Sequence, residues 1–216
     1  MGSIYANIIS YMGLLNTIFN IVFPVKCISC GKNGRDFCIK CLSDSSPAER
    51  ETAKWIFPLY DYRHPSIKKA LWLLKYKGKK RLAESFAEVI YNKILEELSD
   101  LSTMENFNNT ILIPIPLSKK RLRERGYNQA ELICRELIKI NNTRSADAKP
   151  ARQSAGEALA NRHGIDEKLN LSLEKNILVK PKETRHQAQI ENRAERLENI
   201  IGSFAIKSGE EIKGRN

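Results

Sequence analysis

Two signatures that most readily place an enzyme are missing from this chain. It contains no Gly-x-x-x-x-Gly-Lys-[Ser/Thr] and no Gly-x-Gly-x-x-Gly, so neither a P-loop nor a dinucleotide-binding fingerprint is present. Histidine is scarce, at three residues. His64, His163 and His186 share no motif spacing and read as surface or capping residues, not as catalysts. Long apolar runs are also lacking. The apolar-rich stretch Ile4–Val25 is interrupted by Asn7, Asn16 and Asn20, which argues against a spanning helix. No basic region precedes it and no small-residue cleavage site follows, which argues against a signal peptide. Its apolar residues recur at helical spacing (Ile4, Ile8, Leu15, Val22). We read an amphipathic helix over residues 1–24 that packs on the protein, a membrane-surface helix being the alternative. Acidic residues are outnumbered, 25 against 36 Lys and Arg, for a net charge of +11. That balance favours anionic partners such as phosphorylated metabolites, nucleic acid or acidic membrane; solubility alone is the other reading.

Cysteine is sparse but concentrated. Of five cysteines, four lie in the spacing Cys27-x2-Cys30-x7-Cys38-x2-Cys41. An odd count with one tight cluster is unlike a secreted disulfide framework and points to a reducing, cytoplasmic setting. Two residues between cysteines let both sulfurs of a pair reach one ion from a tight turn, and Gly31 suits that turn. Four thiolates satisfy zinc completely, so the expected ion is structural and not catalytic. Disulfides or four unrelated thiols are the alternatives. The zinc module is placed at residues 25–46. Cys134 falls within a helical pattern and reads as a buried apolar thiol.

The remainder, residues 55–216, alternates strands and helices in the manner of an α/β domain. Trp55–Tyr62 reads as an edge strand containing Pro58. Ser66 is expected to cap a helix with Ile67, Ala70, Leu71 and Leu74 inward and Gly78 as terminator. A second helix runs from about Lys80 to Ser99, with Leu82, Phe86, Val89/Ile90, Ile94 and Leu98 on one face. Thr110–Ile115 is a continuous apolar run, expected to be a strand buried on both faces of a parallel sheet. A basic loop follows, Ser118–Arg125, then Gly126 and a helix from Asn128 to Ile140. Asn128 with Glu131 three residues on fits a capping box. Residues 141–172 read as an insertion with a short helix at Ala151–Asn161. Asn176–Lys180 and Gly202–Lys207 are strand candidates, and Glu191–Ile201 is helical.

Ligands of open α/β sheets bind beyond the carboxyl ends of strands. Helix N-termini and arginine forks there suit phosphate. The loop around Arg125 is therefore the leading anion site, with a solvated charge run as the bland reading. A second basic cluster, Lys75–Arg81, is placed to converge on the same anion.

Taken together, FPVKCISCGK, FCIKCL, IKKALWLLKYKGKK, ILIPIPLSKKRLRERGYNQAELI and TRHQAQIENRAERLENIIGSF resemble the ComF family, bacterial phosphoribosyltransferase-like proteins associated with DNA uptake in competence. The resemblance implies a zinc ribbon followed by a type I phosphoribosyltransferase-like domain that binds phosphoribosyl pyrophosphate with Mg²⁺. It carries over Lys75 and Gly78 from KYKG, and Arg125, Gly126, Asn128 and Gln129 from RGYNQ. From the last stretch come Thr184, Gln187, Arg196 and Asn199. It assigns these residues to phosphate or substrate binding and names no catalytic residue. The family's acidic pair followed by a Thr/Gly-rich turn has no counterpart, since no Asp-Asp-x-x-x-Thr-Gly occurs. The expectation is therefore a chain ending before that loop, an incomplete domain of marginal stability with an open sheet edge, and no transferase activity alone. The rival is a non-catalytic zinc-ribbon protein that binds single-stranded nucleic acid, with Tyr76 and Tyr127 as stacking platforms.

Overall fold

A computed structural model describes residues 24–48, 56–100, 110–146 and 169–207. The helix expected over 1–24 falls almost wholly outside the described residues, as does Ala151–Asn161. The chain divides into two compact units, Met1–Leu73 and Leu74–Asn216. The architecture is mixed helix and small sheet, so the α/β character expected from the sequence is present. No helix among the described residues is long and apolar enough to cross a membrane.

In the first unit the cysteine module leads into a short helix, α1 (Ile39–Ser43), and then into α2 (Pro65–Tyr76), which carries on into the second unit. Phe37 and Leu42 are fully buried. Helix α2 starts two residues earlier than expected. Pro65 takes the first helical position, where its missing N–H costs nothing, and the carbonyl of His64 accepts from the Lys68 amide at 3.0 Å. Ser66 is thus not the cap; its hydroxyl lies 3.0 Å from that of Ser29. Ile67, Ala70 and Leu74 are buried as the periodicity predicted. The edge strand expected at Trp55–Tyr62 is not formed over its described residues. Tyr60 makes an isolated bridge to Pro47, and Pro58 supplies no donor to extend a ladder.

The second unit is built on α3 (Leu82–Asp100) and α5 (Gln129–Ala146), with α4 (Lys119–Arg125) between them in sequence and α6 (Arg193–Ile200) near the end. Strand β1 (Thr110–Leu112) pairs in parallel with β2 (Leu171–Leu173), and β3 (Leu178–Val179) pairs antiparallel with β4 (Ala205–Ile206). The core gathers Ala87 and Tyr91 of α3, Leu137 of α5 and Leu169, with Leu112 and Leu171 of the sheet packed against them. The buried stripe of α3 runs through Leu82, Ala83, Phe86, Ala87 and Tyr91. Small Ala residues and an amphipathic Tyr line it, and a search for large aliphatics underweights both.

Three further expectations change. Every residue of β1 is half-buried and none is enclosed on both faces, because among the described residues its sheet holds only two strands. Ser118–Arg125 is not a loop. Ser118 caps α4, its hydroxyl accepting from the Arg121 amide at 3.4 Å, and Gly126 ends it in the left-handed region at φ 74°. Lys, Arg, Leu and Glu are all good helix formers, so a run rich in charge folds as helix once capped. The capping box is not made, though Asn128 does cap the helix: its Oδ1 accepts from the Ala130 amide at 3.0 Å. Glu131 instead pairs with Arg135 at 2.8 Å and Lys175 at 3.3 Å. Within 141–172, residues up to Ala146 continue α5 and Leu171–Leu173 form β2; residues 147–168 lie outside the described residues.

Candidate functional site

The first unit brings Cys27, Cys30, Cys38 and Cys41 together. The Gly31 amide donates to the Cys27 carbonyl at 2.9 Å, closing a tight turn that Gly31 completes at φ 75°. Lys26 bridges Asn33 across it. Cys38 is the N-cap of α1, which places Cys41 one turn on and on the same side. All four sulfurs lie within 4.8 Å of one another. The Cys30 and Cys38 sulfurs are 3.7 Å apart. A disulfide needs about 2.05 Å, whereas a tetrahedron with metal–sulfur bonds of about 2.3 Å has edges of about 3.8 Å. The cysteines are accordingly free thiols in a metal-binding arrangement.

Electrostatics agree with that arrangement. Burial opposes ionisation of Cys27, but the amides of Cys30, Cys38 and Ser29 outweigh it and hold the thiol down to about 6. At Cys41 the Ser29 hydroxyl favours the thiolate, yet neighbouring Cys38 and Cys30 push the thiol up to about 12. One thiolate thus forms at the expense of the next, a conflict that a bound dication removes.

The second unit holds a cleft of about 140 Å³ lined by Lys75, Tyr76, Gly78, Glu124, Arg125, Tyr127 and His186. Lys75 and Tyr76 stand on the last turn of α2, and Gly78 turns the chain away at φ 66°. Arg125 is the last residue of α4. Its guanidinium donates to Gln129 Oε1 at 3.2 Å and to the Tyr76 hydroxyl at 3.4 Å, and it lies 5.0 Å from the centre of the Tyr76 ring. On the other side the Tyr127 hydroxyl donates to the Leu74 carbonyl, and Lys80 Nζ sits 4.7 Å from the centre of the Tyr127 ring. Two cations are therefore held against two aromatic faces. Among the described residues no carboxylate pairs with Lys75 or Arg125. Burial, and then the charge of Arg125, hold the Lys75 ammonium below the usual lysine range. Two like charges, one partly desolvated, are an arrangement that an anion relieves.

The two basic clusters singled out in the sequence do meet, through Lys75, Gly78 and Arg125. The other expected residues take supporting places. Gly126 is the left-handed cap of α4. Asn128 caps α5 and donates through Nδ2 to the Ile115 carbonyl at 3.0 Å, tying the helix start to the segment after β1. Gln129 is buried and holds Arg125. Thr184, Gln187, Arg196 and Asn199 do not line the cleft. The Thr184 carbonyl accepts from Arg121 at 3.0 Å, and Asn199 embraces the backbone of Arg185 with two hydrogen bonds of 3.1 Å. Gln187 donates to the Arg196 carbonyl at 3.3 Å, and Arg196 to that of Ile190 at 2.6 Å. These hydrogen bonds tie the loop around Thr184–Ile190 to α4 and α6. Glu124 and His186 were missed, because neither stands in a pattern that spacing can reveal. Cys134 is half-buried within α5, and burial pushes its thiol up to about 11.

Compared with known proteins, the chain is 28% identical over 109 residues to "Competence protein ComFC" of Bacillus subtilis (strain 168). The match covers 47% of this chain and 42% of that protein, so the chain spans less than half of the curated relative it matches. No family model matches, and no solved structure matches. What the comparisons give is therefore a partial likeness: over less than half of either chain, this protein is similar to a competence protein.

Proposed function

We propose that this chain is a ComF-type protein with a role in competence, carrying one structural zinc ion and an anion-binding cleft for a phosphorylated sugar or nucleotide. The observation that carries the ligand reading is the couple Lys75 and Arg125, which line one cleft with Tyr76 and Tyr127 and have no carboxylate partner among the described residues. A phosphate offers the guanidinium a forked acceptor and the ammonium a counter-charge. The two rings give a ribose or base a flat apolar wall. Cys27, Cys30, Cys38 and Cys41 would hold the zinc, and thiolates favour that metal over Mg²⁺. The proposal is one of binding. No acidic pair followed by a Thr-Gly turn occurs in these residues, and no transfer step is assigned to them. A phosphoribosyltransferase-like lineage and a cytoplasmic setting are part of the same proposal.

Arg125→Ala is expected to weaken binding of phosphoribosyl pyrophosphate about tenfold or more, as loss of a charge-assisted bidentate partner does. The readout is the ligand-induced rise in melting temperature, with Arg123→Ala, outside the cleft lining, as control. Equal losses in both variants would discard the cleft as the site. The second reading, single-stranded nucleic acid, is favoured by the exposure of Tyr76 at 49%. It predicts instead oligonucleotide affinity that falls steeply with salt and drops with Tyr76→Ala.

A further inference from the structure

One lining residue of the cleft, His186, is not used by the ligand reading above. His186 opens the short 3-10 turn Gln187–Gln189, its carbonyl accepting from the Gln189 amide at 2.9 Å. The residues before it are clamped from two sides. Arg121 of α4 donates to the Thr184 and Arg185 carbonyls at 3.0 and 2.9 Å. Asn199 of α6 both donates to and accepts from the Arg185 backbone. The clamp's effect is to present His186 to the cavity that Lys75 and Arg125 share. The charged and titratable groups around that cavity are Lys75 and Tyr76 of α2, Glu124 and Arg125 of α4, and Tyr127. On the histidine's own segment Arg185 pairs with Glu195 at 3.6 Å.

We propose that His186 is a third, proton-gated ligand for the anion held by Lys75 and Arg125, so that the cleft binds a doubly charged tetrahedral oxyanion more tightly below neutral pH. The inference rests on the anion reading of the cleft. Histidine is the side-chain type whose charge changes between about pH 5 and 8. As imidazolium it offers two N–H donors and a positive charge; as neutral imidazole it offers one donor, and its other nitrogen is an acceptor that repels an oxyanion.

Inorganic sulfate is the probe, because it stays a dianion across this range and only the protein titrates. Its affinity is measured calorimetrically at about pH 5.5 and about pH 8 for the wild-type chain, His186→Gln and His186→Lys. The wild type is expected to bind about fivefold more tightly at the lower pH, the scale of one solvent-accessible charge pair. His186→Gln should bind weakly at both values, and His186→Lys tightly at both. A slope unchanged in His186→Gln overturns the role of His186 while leaving the cleft as an anion site. Absence of sulfate binding in all three proteins at both values overturns the anion reading and this inference with it.

Discussion

Stripping the metal with a chelator, or replacing Cys38 with serine, is expected to unfold the ribbon outright instead of loosening it. The reason is how little else among the described residues holds residues 25–46. Its buried apolar side chains are Cys27, Phe37 and Leu42, and its backbone closes through an isolated bridge and a few turn hydrogen bonds. A core of that size falls far short of offsetting backbone entropy of about 1–2 kcal/mol per ordered residue. A four-thiolate zinc ion contributes about 10–16 kcal/mol of apparent binding free energy at neutral pH, and that energy is folding energy. The wild type should carry one zinc per chain. Amide protons at Cys27, Ile28 and Gly34, each hydrogen-bonded within the module, should be protected in that state and exchange freely once the metal is gone. Equal protection with and without metal would show that the ribbon stands on its own packing.

The largest single-residue effect in the second unit is expected at Asn141. This side chain is 2% exposed. Its Oδ1 accepts from the Tyr91 hydroxyl at 3.2 Å, and its Nδ2 donates to the Leu169 carbonyl at 2.7 Å. It thereby links α3, α5 and the approach to β2 at the centre of the core. Asn141→Ala strands a buried hydroxyl and a buried carbonyl and leaves a small cavity, and is expected to cost about 2–4 kcal/mol. Tyr91→Phe removes one donor and should cost about 1 kcal/mol. The double variant should be less destabilised than the sum, since both changes break the same bond. Urea midpoints at constant slope test this. Strict additivity would mean that the Tyr91–Asn141 hydrogen bond contributes nothing.

The sequence was most legible where chemistry depends on local spacing. The cysteine positions alone foretold four converging sulfurs, and Ile67, Ala70 and Leu74 of α2 with Leu82 and Phe86 of α3 followed from helical periodicity. Gly78 was named as a terminator and does lie at positive φ. Legibility failed where partners are distant in the chain. Ser118–Arg125 reads as a loop because its charge masks a helix, Lys119–Arg125, whose ends are set by Ser118 and Gly126. Leu171 and Ser172, two of the three residues of β2, fall in the stretch 141–172 read as an insertion, because so short a strand carries no periodicity of its own; its partner, Thr110–Leu112, lies far upstream. His186 was set aside for the same reason. Its place in the cleft follows from Arg121 and Asn199, which no short motif joins to it.

The parallel ladder has a kinetic consequence. Thr110 and Leu171 meet although roughly 60 positions separate them along the chain, and such contacts form only after a large loop has closed. Helices α3 and α5 are local, so they are positioned to nucleate while β2 joins late. A conservative truncation at Leu171 should then accelerate unfolding and leave the refolding rate nearly untouched, whereas one at Ala87 or Leu137 should slow refolding.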